Sequence, residues 1–144
     1  MGKINWARVL LGGLIAGIVG NITQFAVWGP LVGRSLSPAL QTLGHPMQVT
    51  LATTVLMVVL GIVMGILAIW FYAAIRPRYG PGPGTAALAG VAAGVFMAVL
   101  PDIGWGLTLR LIPATVWVMD AVIGLVAIVI ATVLGAWVYK EEAP

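Results

Sequence analysis

Four polar side chains interrupt long apolar stretches of this sequence, and they are its first candidates for chemistry. Asn21 and Gln24 lie in the first stretch, Asp102 in the third and Asp120 in the fourth. Polar groups are costly inside a membrane, so they usually face the interior of a helix bundle and find a partner there. Helical spacing puts all four on faces that otherwise carry glycine and alanine, which predicts an inward-facing polar cluster.

All four residues fall in the outer half of their stretches, and Arg34 and Arg110 follow at the rim, where either can pair with an aspartate. In one interpretation the cluster is a small polar pocket open to the outer face, built from Asn21, Gln24, Asp102, Arg110 and Asp120. In the other it is a structural network of Asp–Arg pairs and amide–threonine bonds. The inner half carries no comparable group, so we expect no polar path across the whole membrane.

The sequence offers little for catalysis or metal binding. It has no cysteine and one histidine, which excludes thiolate sites, disulfides and a multi-histidine centre built by this chain alone. His45, in Gly-His-Pro, is most simply a loop residue; the alternative is an axial ligand to a metal or a tetrapyrrole, for which one imidazole is enough. No serine has the context of a nucleophile. We therefore expect no enzyme activity, no catalytic residue, no metal site and no encoded cofactor.

The elements that must position these residues are transmembrane helices. Of 144 residues, 61% are hydrophobic and 8% are charged, a balance with which a soluble domain could not cover its surface. The apolar stretches match the roughly 20 residues that a helix needs to cross about 30 Å of hydrocarbon, and they lack the alternation of barrel strands. The sequence predicts a single domain over 1–144, an all-α bundle of four transmembrane helices. These are expected at about 9–28, 49–75, 86–105 and 114–139.

Proline and glycine mark the predicted connections between the helices. The outer loop, 29–48, is expected to carry a short interfacial helix over 35–43. The loop 76–84 contains Gly-Pro-Gly-Pro-Gly, whose prolines remove the N–H donors that a phosphate-binding loop needs. It is expected to be a tight connection, followed by Thr85 as the N-cap of the third helix.

The distribution of charge predicts the orientation. With four spans, five basic residues fall on one side, namely Lys3, Arg8, Arg76, Arg78 and Lys140, and two on the other, Arg34 and Arg110. The positive-inside rule then places both termini in the cytoplasm. The net charge of +3 forms no patch, so no nucleic-acid partner is expected.

The first and third spans share a pattern of small and aromatic residues. Gly13, Gly17 and Trp28 recur 77 positions later as Gly90, Gly94 and Trp105 (90 minus 13, 105 minus 28). The second and fourth spans end in aromatic pairs expected at the inner interface, Trp70 with Tyr72 and Trp137 with Tyr139. We interpret the pattern as two helical hairpins of the same orientation, related by a pseudo-two-fold axis along the membrane normal. The alternative is coincidence in glycine-rich helices.

Small residues at every fourth position predict close helix contacts, because association in lipid depends on backbone approach rather than on hydrophobic drive. The predicted packing residues are Gly13, Gly17, Gly61, Gly65, Gly90 and Gly94. Such stripes either pack the bundle internally or face the helices of a partner, and both interpretations stay open.

The segment that ends the second span and continues into the loop, Tyr72-Ala-Ala-Ile-Arg-Pro-Arg-Tyr-Gly-Pro-Gly-Pro83, resembles a family of uncharacterised small four-helix bacterial inner-membrane proteins. The resemblance extends over most of the chain's layout. It implies a bacterial inner-membrane location and no particular activity.

These observations favour a non-catalytic accessory or structural subunit that packs against larger subunits of a membrane complex, with a respiratory or photosynthetic complex as a natural host. The alternative is a small transporter or channel subunit that uses the outer pocket. The expected partners are membrane lipids and either other transmembrane subunits or further copies of the chain. Tryptophan-rich helix ends also suit contact with a pigment or quinone, although they are equally ordinary lipid anchors.

Overall fold

The computed structural model describes residues 3–141, which form helices and no strand. The elements are α1 (Trp6–Trp28), a π-helical turn π1 (Gly29–Gly33), α2 (Arg34–Thr42), α3 (Leu51–Tyr79), α4 (Pro83–Gly94), a second π-helical turn π2 (Val95–Val99), α5 (Leu100–Leu109) and α6 (Ala114–Ala136). Because the π turns join their neighbours without a break, the chain makes four helical segments, all long and apolar enough to cross a membrane. The prediction of an all-α protein with four helices able to span a membrane is confirmed.

The first helical segment is longer than predicted. It covers Trp6–Thr42, so the prediction of a loop over 29–48 is wrong and the connection shrinks to residues 43–50. Pro30 does not end the helix because it lies in the first turn of π1, where the wider backbone relieves the clash of its ring with the preceding turn. The helix expected over 35–43 is therefore α2, a direct extension of the first span.

The third segment begins earlier than predicted. Gly82, with a φ of 137°, turns the chain, and α4 starts at Pro83, where a missing N–H is tolerated. Thr85 is therefore not the N-cap. It lies buried inside the first turn, and its Oγ1 donates a hydrogen bond to the Gly80 carbonyl at 2.8 Å. The other ends shift by a few residues, since α3 extends to Tyr79 and α6 ends at Ala136.

The four segments pack in a closed ring. α1 contacts α3 and α6, and α4 contacts the same two helices, but α1 and α4 do not touch in the described part of the chain. In each hairpin, the first helix thus packs against its own second helix and also against the second helix of the other hairpin. This arrangement is compatible with two hairpins related by a pseudo-two-fold axis.

The predicted packing glycines lie at these contacts, and their partners repeat. The equivalent contacts are Gly13 with Ile66, Gly17 with Ile62, Gly90 with Val129 and Gly94 with Leu125. The offset is 77 along the first helices and 63 along the second ones (129 minus 66, 125 minus 62). The aromatic pairs of the second and fourth spans are 67 residues apart (137 minus 70), so they are displaced from this register by about one helical turn.

The remaining two predicted glycines complete the contact between α1 and α3. A Cβ on Gly65 would meet the backbone of Gly13 and Gly17, and one on Gly61 would meet the side chain of Asn21. All six stripe glycines are therefore used inside the bundle. An added side chain at any of them must displace backbone or a buried neighbour.

The inner end of the bundle is tied together by aromatic and polar side chains. Tyr72 and Tyr139 are 4% and 5% exposed, with Arg76 stacked 5.5 Å from the centroid of the Tyr139 ring. The Arg76 Nη1 lies 3.3 Å from Glu141 Oε1, and the Tyr139 hydroxyl accepts a hydrogen bond from the Asn5 N–H at 3.4 Å. The two tyrosines, expected at the inner interface, are therefore packed inside the bundle rather than turned outward.

Candidate functional site

An open cleft divides the outer half of the bundle, where outer means the end that holds residues 28–51 and 109–114. α3 contacts α1, α4 and α6 but neither π2 nor α5, and α1 contacts neither π2 nor α5. Both α1 and α5 pack on α6, which therefore forms the floor of a gap between α1 and π2. At the inner end the contact between α3 and α4 closes this gap.

We name this gap the outer cleft. Its lining residues are Gly20, Thr23, Gln24 and Val27 of α1, Met97 and Ala98 of π2, and Asp120, Ile123, Gly124, Ala127 and Ile128 of α6. The cleft encloses a cavity of about 70 Å³. Because one water occupies roughly 10–15 Å³ on this measure, a few waters or a partly hydrated ion fit inside.

Asp120 is the most deeply placed charged residue of the cleft. It lies six residues into α6, about 9 Å from the outer end of the helix at 1.5 Å per residue. Its side chain is 7% exposed and lines the cavity. It makes no hydrogen bond and no ion pair with any residue between 3 and 141.

Asp102 lies opposite Asp120 across the contact of α5 with α6. One turn inward, Gly124 packs on Ala98, and a Cβ added to the glycine would lie 3.0 Å from the Ala98 Cβ. One turn outward, Gly106 packs on Trp117, and a Cβ added to this glycine would lie 2.8 Å from the indole ring. Since the two helices run antiparallel, residues between these two contacts stand at one level. Asp102 is half-buried.

Pro101 shapes the backbone beside the two aspartates. A proline has no N–H, and its ring clashes with the carbonyl one turn earlier. The helix responds with π2, in which the Leu100 N–H bonds to the Val95 carbonyl, five residues back. In a regular helix the N–H of residue 101 would donate a hydrogen bond to the Met97 carbonyl, and proline has no N–H to give. Met97 is one of the residues that line the cleft.

The two amides predicted for the pocket have different surroundings. Asn21 Nδ2 donates a hydrogen bond to the Val58 carbonyl at 3.1 Å, so this residue joins α1 to α3. Gln24 is exposed, lines the cavity and makes no hydrogen bond in the described part of the chain. Next to it, Thr23 Oγ1 donates to the Val19 carbonyl at 2.9 Å and keeps lone pairs free to accept.

The predicted Asp–Arg and amide–threonine pairs do not form. Arg34 and Arg110 are exposed, and within residues 3–141 the single ion pair joins Arg76 to Glu141 at the opposite end of the bundle. Arg110 ends α5 in a left-handed conformation, with a φ of 50°. Thr50 and Thr53 are exposed and form the capping box of α3. Residues 3–141 therefore do not form the structural network that was one of the two interpretations of the cluster.

His45 stands apart from the cleft in the connection after α2. Its side chain is exposed, and its backbone N–H donates to the Leu40 carbonyl at 3.0 Å. Between residues 3 and 141 no three histidine or carboxylate side chains come together in a group that could hold a metal ion.

Trp117 belongs to the site although the sequence did not single it out. It is 6% exposed, and its Nε1 has no hydrogen-bond partner within residues 3–141. It packs with Val32 and Ile112 in a small outer core, which brings π1 over the start of α6. Nothing in the local sequence distinguishes a tryptophan that anchors a helix end in lipid from one that packs on a glycine of the next helix, as Trp117 does on Gly106.

A second groove runs along the surface of α6. Its volume is about 280 Å³, and it is lined by Thr23 and by the α6 residues Val122, Ile123, Val126, Ala127 and Ile130. Apart from the threonine the lining is aliphatic, which suits an acyl chain.

Comparisons with protein-family models, with curated proteins and with solved structures find no match to this chain.

Proposed function

We propose that this protein is a non-catalytic subunit of a membrane protein complex, and that a transmembrane segment of a larger subunit covers the outer cleft. The observation that supports this proposal is the sideways opening of the cleft. Gln24 is exposed and Asp102 half-exposed at that opening. Hydrocarbon chains cannot satisfy these groups, whereas a partner helix with its own polar residue can.

The outer half of α3 supports the same proposal. It meets α1 where Gly61 packs on Asn21, and the buried residues of α3 all lie between Gly65 and Ala73, toward the inner end. Val55, Leu56 and Leu60 are 45–53% exposed on the part of the helix that leans away from α5. A helix inserted between α3 and α5 would contact both walls.

We further propose that the protein lies in a bacterial inner membrane with both termini cytoplasmic, as the excess of basic residues at the inner end favours. A respiratory or photosynthetic complex is the proposed host. The aliphatic groove along α6 is then a lipid contact, or the place where a pigment or quinone tail lies.

Site-specific photo-crosslinking in the protein's own membrane tests the proposal. A photoreactive residue replaces Met97, which lines the cleft, and in a matched variant it replaces the neighbouring Phe96, which is 73% exposed and outside the cleft. We expect a cross-link to one larger protein from position 97 and lipid adducts from position 96. Native mass spectrometry of the intact complex should then give a fixed ratio of the two chains. Lipid adducts alone from both positions would contradict the proposal.

A small transporter or channel subunit is the second candidate, and the unpartnered Asp120 carboxylate favours it. A water-filled cleft would hydrate this group without any partner helix. In that case Asp120→Asn should abolish transport while the protein still folds, and the native oligomer should contain this chain alone.

A further inference from the structure

Among residues 3–141, Asp120 is the one charged side chain on the wall of the outer cleft. It is 7% exposed and borders the cavity of about 70 Å³. With the other described residues it makes neither a hydrogen bond nor an ion pair. An ionised carboxylate this far inside a transmembrane helix needs a counter-charge. One negative charge is therefore left to be neutralised by a group that enters the cleft.

Most of the cavity wall is apolar, which suits a long side chain better than a metal ion. Besides small residues it carries the aliphatic and thioether side chains of Val27, Met97, Ile123 and Ile128. These groups are poor ligands for a hard cation but good contacts for methylene groups. A cavity of about 70 Å³ holds about five water-sized groups. A lysine side chain has that size, since it consists of four methylene groups and one ammonium.

The polar groups of the wall match one ammonium in charge and in hydrogen bonding. Thr23 and Gln24 line the cavity together with Asp120. The Thr23 hydroxyl donates its own hydrogen to the Val19 carbonyl at 2.9 Å, so its lone pairs remain free to accept. The Gln24 amide oxygen is a further acceptor. A lysine ammonium has three N–H donors and no acceptor, whereas an arginine guanidinium has five donors and would leave two of them without a partner here.

This chain has no lysine that could enter the cleft of another copy at this level. Its two lysines, Lys3 and Lys140, both belong to the inner end of the bundle, and the basic residues of the outer end are the arginines Arg34 and Arg110. Asp120 lies near the outer end, six residues into α6. An ammonium beside it must therefore come from a different molecule, and the sideways opening of the cleft admits one from a neighbouring helix.

We infer that the transmembrane segment covering the outer cleft carries a lysine whose side chain enters the cavity and pairs with Asp120. The inference rests on the proposed function, because it names the chemistry by which the larger subunit is recognised. The methylene groups of the lysine pack on the apolar wall, and its ammonium donates to Asp120, Thr23 and Gln24. Each of the two charges is costly in the membrane without the other. The pair also fixes the depth of the partner helix, since the ammonium must lie about 9 Å inside the outer end of α6.

Paired substitutions in the complex test this inference once photo-crosslinking from position 97 has identified the larger subunit. Asp120→Asn should weaken association by about tenfold or more, a loss of about 1.4 kcal/mol or more, and so should methionine in place of the partner's lysine. The two changes together should cost no more than either alone, because each removes the same pair. The control is Glu141→Gln, which removes a carboxylate at the far end of the bundle and should associate like the unmodified protein. Additive losses, or unchanged association of Asp120→Asn, would overturn the inference.

Zero-length cross-linking of the unmodified complex in its own membrane keeps the inference testable if the asparagine variant does not fold. A hydrophobic carbodiimide activates a carboxyl group within the membrane, and a lysine amine in contact with it displaces the urea and leaves an amide bond. Peptide mass spectrometry should find Asp120 joined to one lysine of the larger subunit. If position 97 cross-links a larger subunit that has no lysine joined to Asp120, the lysine pair is wrong and the proposed function stands. Lipid adducts alone from position 97 would overturn both.

Discussion

The phenol ring of Tyr139 meets the ring of Tyr72 edge-on, with their centroids 5.8 Å apart and their planes at 85°. This contact joins the end of α3 to the residues that follow α6, and the Asn5 N–H adds the start of α1. The inner end of the bundle is thereby closed by interactions that the outer cleft lacks. Closure at one end and a cleft at the other distinguish the two halves of the protein.

The first prediction concerns this aromatic contact. Tyr139→Leu should lower the free energy of unfolding by about 1–3 kcal/mol, because it removes the edge-on contact and the ring under Arg76. Tyr139→Phe keeps the ring and should lose less, only the hydrogen bond from Asn5. Unfolding titrations in mixed detergent micelles measure the difference, and equal losses in the two variants would show that the ring contacts contribute little.

The second prediction concerns pH at the same residue. Burial raises the pKa of the Tyr139 hydroxyl above its ordinary value, and Glu141 adds to the shift. The unfolded chain therefore ionises first, so stability is full below the ordinary tyrosine pKa, about 10, and falls as the pH rises through that value toward the raised one. Unfolding midpoints at pH 9 and 11 should show a larger drop for the unmodified protein than for Tyr139→Phe. An equal drop would mean that this hydroxyl does not contribute.

The third prediction concerns the contact between α4 and α6. A Cβ on Gly90 would lie 2.8 Å from Val129 Cα, so Gly90→Leu must separate the helices and should destabilise the bundle by about 1–3 kcal/mol. Val91→Leu, on the exposed side of the same turn, is the matched control and should be close to neutral. Because Gly13 has the equivalent place in the first hairpin, Gly13→Leu should resemble Gly90→Leu. Tolerance of leucine at all three positions would contradict the packing.

The fourth prediction concerns orientation. Single cysteines at Gln41, at the end of α2, and at Arg78, at the end of α3, are both exposed and enter a chain that has no cysteine. An impermeant thiol reagent outside intact cells should label position 41 and spare position 78 until the membrane is permeabilised. The reverse pattern would place the termini outside and contradict the positive-inside argument.

The sequence predicted the existence of the spans better than their ends. Length and apolarity identify a span because the bilayer thickness imposes them. Pro30 was expected to end the first helix, but a single π-helical turn accommodates it. The same turn buries Val32 in the small outer core, a contact that no local sequence pattern reveals. Pro101 produced the same kind of turn inside a span. Its place one residue before Asp102 was the available signal for an altered backbone at the site.

The polar cluster was predicted in composition but not in pairing. Depth along each helix put Gln24 and Asp120 at one level, and both line the cleft. One interpretation had hydrogen bonds satisfying the cluster, but within residues 3–141 Asn21 alone of the predicted set has a hydrogen-bond partner, the Val58 carbonyl. Whether an inward-facing amide finds a hydrogen-bond partner depends on helix separations of a few ångströms. Those separations, including that of α3 from α5, follow from packing across the entire bundle and not from local sequence.

The accessibility of position 24 tests the central claim, that a partner helix covers the outer cleft. A Gln24→Cys variant is treated with an impermeant thiol reagent from the outer side, first in its native membrane and then after purification away from other proteins. The covered cleft predicts protection in the membrane and rapid labelling once the partner is removed, with exposed Gln41→Cys labelled in both states as the control. Rapid labelling of position 24 in the native membrane would show a cleft open to water and contradict the claim.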